Sequence, residues 1–446
     1  MRRSTSRRST TASRTEPGRA AGRGVEVYLL PAVVGGGRGD VEEVLAVGRA
    51  LARRRHRVLI YRSRPLAVLE DPSFDRTGIR QVRRLAPRAG RAVTISSQFG
   101  VTAADGRDEP LGRPGPWALE RAEIDRAYGP GCVLHVSLEE FARGRPSAEL
   151  AEERWRESGT TARARRSGRN GAKARAEAAE FRRLFRKFRD LDRPDLLAIF
   201  PTLRPSRRFA EEFPETVQAG PVWPEPLRRR AAPARRGPLH VLWYASPSTS
   251  ERLAPRLLAG LRGSEHRVVL RVRSSRPMIL ASTPRVRIVL PPARSSEGWR
   301  REWARTDLAI VTGTRSLLEA IEWGVPFLYF NGVIGRGRSA RRHRPEKILA
   351  LLALLRSSAV PSWVRRDLAD FSRLRAVEPV VRRWLDEPRV LGPEVRRAIR
   401  RRFRPPFADA GALVAEVIER FGTSDGTAAD LVRAVRRESR RPVSKV

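Results

Sequence analysis

The sequence predicts an α/β chain of two parallel-sheet domains facing a cleft, with a helical C-terminal extension. Three observations predict it. A strand, a glycine-rich turn and an amphipathic helix open the chain between Val25 and Arg54. A proline- and arginine-rich stretch, Gln218–Arg236, interrupts it near the middle. Beyond that stretch, short apolar runs again alternate with amphipathic segments from Pro238 onward.

Val25–Pro31 (VEVYLLP) is an apolar run of strand length, broken only by Glu26, and reads as a buried strand. Gly35-Gly36-Gly37-Arg38-Gly39-Asp40 follows. Val41, Val44, Leu45, Gly48 and Leu51 then fall on one helical face, with Asp40 placed as N-cap and Glu42 and Glu43 in the first turn. Arg57–Arg62 (RVLIYR) is a second strand. This βαβ opening predicts a right-handed parallel sheet. Ala92–Ser96, Cys132–Ser137 and Asp195–Phe200 are further strands. Ser147–Glu157 and Ala172–Arg189 have helical character, with a basic loop, Ser158–Asn170, between them.

Pro221, Pro224, Pro226 and Pro233, set among arginine clusters, stop both helix and sheet. The second half runs strand Pro238–Tyr244, loop Ala245–Ser250, helix Glu251–Leu261 and strand Arg267–Val272. Strand Val286–Leu290, helix Glu297–Arg305, strand Asp307–Thr312, helix Ser316–Trp323 and strand Phe327–Phe330 complete it. From Arg344 the chain is helical and basic. The expected organisation is a disordered basic tail (1–24), a first domain (25–220), a linker (221–237), a second domain with its helical extension (238–421) and a terminal helix and tail (422–446).

The 446 residues suffice for two domains, and the formal charge is +41. The basic residues are nearly all arginine; the lysines are Lys173, Lys187, Lys347 and Lys445. Such a charge attracts anionic membranes and nucleic acid alike and says nothing about fold. Nucleic acid is not the expected partner, because no binding module is recognisable and aromatics are not interleaved with the basic runs. The single cysteine, Cys132, excludes an internal disulfide framework. The longest apolar run, Ile348–Leu355, is far short of the ~18 residues of a membrane span. Met1–Gly24 lacks the apolar core of a secretory signal, so the expected location is cytoplasmic, with peripheral attachment at the inner membrane face as a further candidate.

Gly36-Gly37-Arg38-Gly39-Asp40-Val41, with Leu45-Ala46-Val47, Ala50-Leu51 and His56-Arg57-Val58 behind it, resembles the amino-terminal signature of GT-B glycosyltransferases. It is similar to the G-x-R-G-D-V turn of sterol and antibiotic-aglycone glucosyltransferases, and to the glycine-rich turn of the lipid II-forming N-acetylglucosaminyltransferase. Val217–Pro224 (VQAGPVWP) resembles the segment that enters the interdomain linker in both groups. Thr312-Gly313-Thr314, Glu319-Ala320 and Gly324-Val325-Pro326 resemble the carboxy-terminal donor-binding motif.

The resemblance implies two Rossmann-like domains, with the acceptor on the first and the donor on the second. It implies an inverting, metal-independent transfer of a sugar from a nucleotide sugar, UDP-linked, to an acceptor hydroxyl. The nucleotide sugar is a co-substrate, and no cofactor is implied. The acceptor would be a glycan, a lipid-linked compound or a small molecule, and an anionic membrane surface would present the lipid-linked kind. Asp40 would be the general base, although the same residue type is also a preferred helix cap. Gly36, Gly37, Arg38 and Gly39 would form the acceptor-side loop. Ser246, Ser248, Thr249, Thr312, Gly313, Thr314, Arg315, Ser316 and Glu319 would bind the donor, Glu319 through the ribose. Where the glucosyltransferases place a histidine against the diphosphate, this chain has Ile310-Val311, and Arg315 inside the turn would supply the positive charge.

Other readings remain open on the sequence. A UDP-N-acetylglucosamine 2-epimerase shares the architecture but needs further carboxylates and a histidine. An NADP-dependent reductase would use the first glycine turn, with Arg62 and Arg64 for a 2′-phosphate. A non-catalytic basic protein that binds nucleic acid or membrane stands outside the enzyme class. Asp190-Leu191-Asp192 has a metal-binding D-x-D form, but it closes a charged helix, and no metal is expected. His56, His240 and His266 stand singly, and His135 lies inside an apolar strand; all four read as structural. Trp299 and Trp303, at i and i+4, read as packing.

Overall fold

The computed structural model describes residues 24–31, 39–62, 76–97, 117–138, 179, 191–224, 237–245, 247–274, 278–290, 296–330, 346–356 and 358–441. Two sheets organise them, and every pairing among the described strands is parallel. The first contains β1 (Val25–Leu30), β2 (Arg57–Tyr61), β3 (Arg80–Val82), β4 (Arg91–Ser97), β5 (Val133–Leu138), β6 (Leu196–Pro201) and β7 (Thr216–Ala219) in the order 3-2-1-4-5-6-7. The second contains β8 (Leu239–Ala245), β9 (Val268–Ser274), β10 (Val286–Val289), β11 (Leu308–Val311) and β12 (Phe327–Tyr329) in the order 10-9-8-11-12. Each order reverses once, beside the first strand of its sheet. The predicted α/β architecture is the observed one.

Alternation along the strands shows how the first sheet is covered on both faces. Val27, Leu29, Val58, Ile60, Val93 and Ile95 join the main core, to which α1 (Gly39–Arg53) contributes Val41, Val44, Leu45 and Leu51. Tyr28, Leu30, Leu59 and Tyr61 point the other way and pack with Ile124 of α2 (Trp117–Tyr128). Farther along that sheet, Leu196, Ala198 and Phe200 pack with Phe209 and Phe213 around α3 (Arg207–Glu212). β1 is buried along its whole length, its one charged residue, Glu26, included.

In the second half, α4 (Pro247–Arg262), α5 (Ser296–Ala304) and α6 (Thr314–Glu322) connect the strands. α4 starts four residues before the expected Glu251. Pro247 suits a first helical position, having no amide hydrogen to lose, and Ser and Thr tolerate a first turn. The extension forms α7 (Glu346–Arg356), α8 (Ser362–Ser372), α9 (Val377–Asp386), α10 (Gly392–Arg400), α11 (Ala410–Thr423) and α12 (Ala428–Ser439). The apolar run in α7 is part of the core: Ile348, Leu351, Leu354 and Leu355 are buried and only Leu349 is substantially exposed. Most of its apolar side chains are therefore committed to the core. Among the described residues, no helix is long and apolar enough to cross a membrane.

The helical extension divides between the two sheets. α11 packs on α1 and β1, and α12 packs on β5, β6 and β7. Arg91 Nη2 donates to the Gly426 carbonyl at 3.1 Å, and Arg436 Nη2 donates to the Leu196 carbonyl at 2.9 Å. The chain thus leaves the first sheet near Gly220 and returns to it near Ala410, and the two crossings are bonded to each other. Gly220 N–H donates to the Phe407 carbonyl at 2.7 Å, and Ala410 N–H donates to the Gly220 carbonyl at 3.2 Å. The next aromatic, Trp223, lies under the guanidinium of Arg396, 4.9 Å from the ring centroid. Arg396 pairs in turn with Glu322 at the end of α6, at 2.8 Å.

A Cβ at Gly220 would fall well inside van der Waals contact with the Ala408 carbonyl oxygen. Backbone, unlike a flexible side chain, has little room to give. Gly220→Ala is expected to lower stability by about 2–3 kcal/mol, read as a shift of the urea midpoint at unchanged slope. A variant as stable as the parent would show that the two crossings are not in contact.

Candidate functional site

In a parallel sheet whose order reverses once, the strands on either side of the reversal send their connections to opposite faces. A crevice opens there, beyond the carboxyl ends of the strands. The first sheet has this point between β1 and β4, and the second has it between β8 and β11. α1 follows β1, and α6 follows β11 through the turn Thr312-Gly313.

On the first side, Gly36, Gly37 and Arg38 lie outside the described residues. Gly39 and Asp40 open α1, which begins one residue before the expected cap, so the Asp40 backbone lies in the first turn. The Asp40 side chain lies outside the description, and its role stays an expectation. Ser96, at the carboxyl end of β4 and paired in register with Leu30, is buried. Its hydroxyl has no hydrogen-bond partner among the described residues.

Arg62, at the other flank of β1, is buried. Its guanidinium donates to the Pro31 carbonyl and lies 3.8 Å from Glu120. It is engaged with Pro31 and Glu120 rather than turned to a 2′-phosphate, and Arg64, the other arginine of the reductase reading, lies outside the described residues.

On the second side, Ser246 lies outside the described residues. Ser248 and Thr249 fall in the first turn of α4, with side chains outside the description. The remaining expected donor residues come together at the α6 start. Thr312 Oγ1 donates to the Tyr244 carbonyl at 3.2 Å, tying β11 to the end of β8. Gly313 precedes the helix in extended conformation, and its N–H donates to Ser316 Oγ at 3.2 Å. Ser316 is buried and its hydroxyl is turned back on the helix start, where it also donates to the Gly313 carbonyl at 3.1 Å. Thr314 and Arg315 follow, half-buried. At the far end of the helix, Gly324 takes φ +64°, which explains glycine in the Gly-Val-Pro turn into β12.

Glu319 is the chemical centre of this side. It is 8% exposed, one turn after Arg315. Arg315 Nε donates to its Oε1 at 3.3 Å and the Tyr244 hydroxyl donates to its Oε2 at 3.2 Å. One further nitrogen of Arg315, Nη1, is buried without a hydrogen-bond partner among the described residues. Burial pushes the Glu319 carboxyl above its ordinary range. Arg315 opposes this, Glu42 on α1 adds to it, and Arg273 and the Tyr244 hydroxyl oppose it. α1 packs directly on α6, and the charge of Glu42, in the first turn of α1, is felt at Glu319 in the second turn of α6.

The surroundings of Tyr244 were not predicted as part of the site. Trp299 Nε1 donates to the Tyr244 hydroxyl at 2.6 Å and Trp303 Nε1 does so at 3.2 Å. Arg273, near the end of β9, places Nη1 3.5 Å from the same oxygen and stacks its guanidinium 4.2 Å from the Trp299 ring centroid. The spacing of Trp299 and Trp303 marks one face of α5, and they do pack there, but their N–H groups converge on a phenol beside the carboxylate. Burial, reinforced by the Glu319 charge, raises the Tyr244 pKa well above that of a free tyrosine, so the phenol keeps its proton.

His135 and His266 are held by side-chain partners away from the two switch points. His135 is wholly buried, with Nδ1 2.7 Å from Thr94 Oγ1 and Nε2 2.8 Å from Asp125 Oδ1. Arg193 closes the group by donating to Asp195 at 2.7 Å. The group lies toward the amino-terminal half of β5 and β6, away from the switch point. His266 Nε2 lies 3.3 Å from Asp386. Among the described residues, no group of three or more His, Cys, Asp or Glu side chains could hold a metal ion. Asp190 of the D-x-D sequence lies outside the described residues.

No protein-family model matches the chain, and no curated protein sequence matches it. Solved structures do. The calicheamicin glycosyltransferase CalG4 is similar at 15% identity and TM-score 0.44, covering 90% of this chain and 98% of its own. The glycosyltransferase SnogD from Streptomyces nogalater is similar at 13% identity and TM-score 0.39, covering 88% and 99%. The glycosyltransferase VinC, solved with DTDP, is similar at 14% identity and TM-score 0.40, covering 93% and 99%. The fold assignment rests on the strand order of this chain itself.

The raised carboxyl of Glu319 has a consequence for stability. Above the ordinary glutamate value of 4.5, the unfolded chain has released a proton that the folded chain still holds. Stability therefore falls as pH rises from 4.5 through the folded-state value. Glu319→Gln removes this slope. The variant is expected to gain stability on the parent as pH rises from 4 to 7, measured by urea unfolding at each pH. A difference that stays constant with pH, or that runs the other way, would contradict the carboxylate's desolvated setting.

Proposed function

We propose that the protein is a glycosyltransferase that moves a sugar from a nucleotide-sugar donor, UDP-linked, to an acceptor hydroxyl, with inversion and without a metal. The observation that carries this reading is the apposition of two switch points, each opening a helix, with Glu42 of α1 against Glu319 of α6. A cleft of that kind has one side for each of two substrates. The motif resemblance on both sides and at the linker supports assigning the acceptor to the first side and the donor to the second.

The chemistry divides accordingly. Glu319 accepts hydrogen bonds from the ribose hydroxyls through the lone pairs that Arg315 and Tyr244 leave open. The α6 start and the cationic Arg315 meet the negative charge that grows on the leaving diphosphate. Arg315 has both roles within reach, since one nitrogen already holds Glu319 while Nη1 is unpartnered among the described residues. Asp40, in the first turn of α1, takes the proton of the acceptor hydroxyl as that oxygen attacks the anomeric carbon on the face opposite the diphosphate. An ordinary carboxylate pKa suffices, because the proton moves as the new bond forms. The net positive charge favours an acceptor at an anionic membrane surface, and with the α7 run buried, charge alone supports that part.

Two measurements test the reading. A thermal-shift series across nucleoside diphosphates and sugar nucleotides should find stabilisation by a uridine nucleotide, about 2.7 kcal/mol at a hundred times Kd, and Glu319→Ala should abolish it. Stabilisation by none of them would remove the nucleotide. With a turned-over donor in hand, Asp40→Ser leaves a small hydroxyl in the first turn of α1 but no base, and kcat should fall by about 10²–10⁴ with the fold intact. Turnover at the parent rate would remove Asp40 from catalysis.

A further inference from the structure

The hydroxyl of Tyr244 is more constrained than a tyrosine at a strand end needs to be. An indole N–H can donate and cannot accept. Trp299 and Trp303 therefore occupy the two lone pairs of the phenol oxygen, at 2.6 and 3.2 Å. The single phenolic proton must leave in the remaining direction, and among the described residues the acceptor there is Glu319 Oε2, at 3.2 Å. Arg273 Nη1 is a third and longer donor to the same oxygen, at 3.5 Å, and its guanidinium lies 4.2 Å from the Trp299 ring centroid. These four side chains come from β8, β9 and α5, none of which carries the expected donor-binding motif on α6.

We propose that Tyr244 is a positioning residue for Glu319: two tryptophans fix the direction of its proton, and that proton orients the carboxylate to receive a ribose diol. The ribose part rests on the glycosyl-transfer reading. The orientation lock does not.

The physical logic is one of competing charges. Glu319 is desolvated and faces Glu42 from α1, both of which favour its neutral form. Arg315 on its own helix, Arg273 from β9 and the Tyr244 proton from β8 favour the anion. Arg396 of α10, also packed on α6, serves Glu322 instead. A protonated Glu319 would place a hydrogen where a ribose hydroxyl must donate, so the balance among these groups decides whether the site accepts a diol. Donation by the indoles polarises the phenol and strengthens its own donation in turn.

The test follows the carboxyl directly. Carbon-13 carboxyl NMR of the full chain reads the Glu319 titration in the parent, in Tyr244→Phe and in Trp299→Phe, with the resonance assigned by its loss in Glu319→Gln. Tyr244→Phe should titrate at higher pH than the parent. Trp299→Phe, which keeps the phenol and removes its shortest donor, should move the same way by less. Calorimetry then uses UDP and 2′,3′-dideoxy-UDP as probes. At neutral pH, Tyr244→Phe should weaken UDP by about fivefold to tenfold and leave the dideoxy nucleotide within twofold of the parent, and the UDP deficit should narrow as pH rises. An unmoved Glu319 titration in the variants overturns the lock; should Tyr244→Phe not fold, Trp299→Phe decides it alone. A titration that moves in a protein to which neither nucleotide binds supports the lock and overturns the glycosyl-transfer reading. Equal loss of UDP and dideoxy-UDP overturns the ribose assignment.

Discussion

Two parallel strands cannot be joined by a tight turn; the chain must cross a face of the sheet, and it does so with a right-handed connection. From this constraint the rest of the molecule follows. All strand carboxyl ends in a sheet lie on one edge, the helices that connect its strands start from that edge, and the one reversal of strand order opens a crevice in it. Both sheets obey the constraint, with the same central order around β1 and around β8. α1 packs on α6, which brings the two edges together. The site is thus a product of topology before any particular side chain is considered.

Holding two such edges together takes more than a linker. The bonded crossings at Gly220 and Phe407–Ala410, with α11 and α12 returned to the first sheet, fix one sheet against the other at the base of the cleft. The Trp223–Arg396–Glu322 chain runs from the same crossing to the end of α6, whose start carries the Thr312-Gly313 turn. A change in the angle between the sheets is therefore felt along the helix that presents Glu319. The buried carboxylate is where this matters, because its charge is balanced between groups on both sides of the cleft.

Much of this was legible in the sequence, for identifiable reasons. β1, β2, β4, β5, β6 and the five strands of the second sheet are short apolar runs between turn residues, and the 3.6-residue pattern of Val41, Val44, Leu45 and Leu51 leaves little doubt about α1. β3 was not legible, since Arg80-Gln81-Val82 is an edge strand with one apolar residue. α2 was missed because its core face carries few apolar residues, Ile124 and Tyr128 among them, while Leu119 falls off that face and is in fact exposed. The return of α11 and α12 is a tertiary choice that no local pattern encodes. In the site, the motif residues Thr312, Gly313 and Glu319 were found by resemblance. Tyr244, Arg273, Trp299 and Trp303 were not joined to them, because their meeting depends on the register of β8 with β9 and on where α5 lands, and neither is written in spacing.

The claim on which the account depends is that a nucleotide seats on the α6 start, facing α1. Hydrogen–deuterium exchange of the full chain with and without UDP tests it most directly. The account predicts added protection confined to the turn and first turn of α6, Val311–Ser316, and to the start of α1. Protection elsewhere with these two helix starts unchanged, or no change on adding UDP at millimolar concentration, would contradict it.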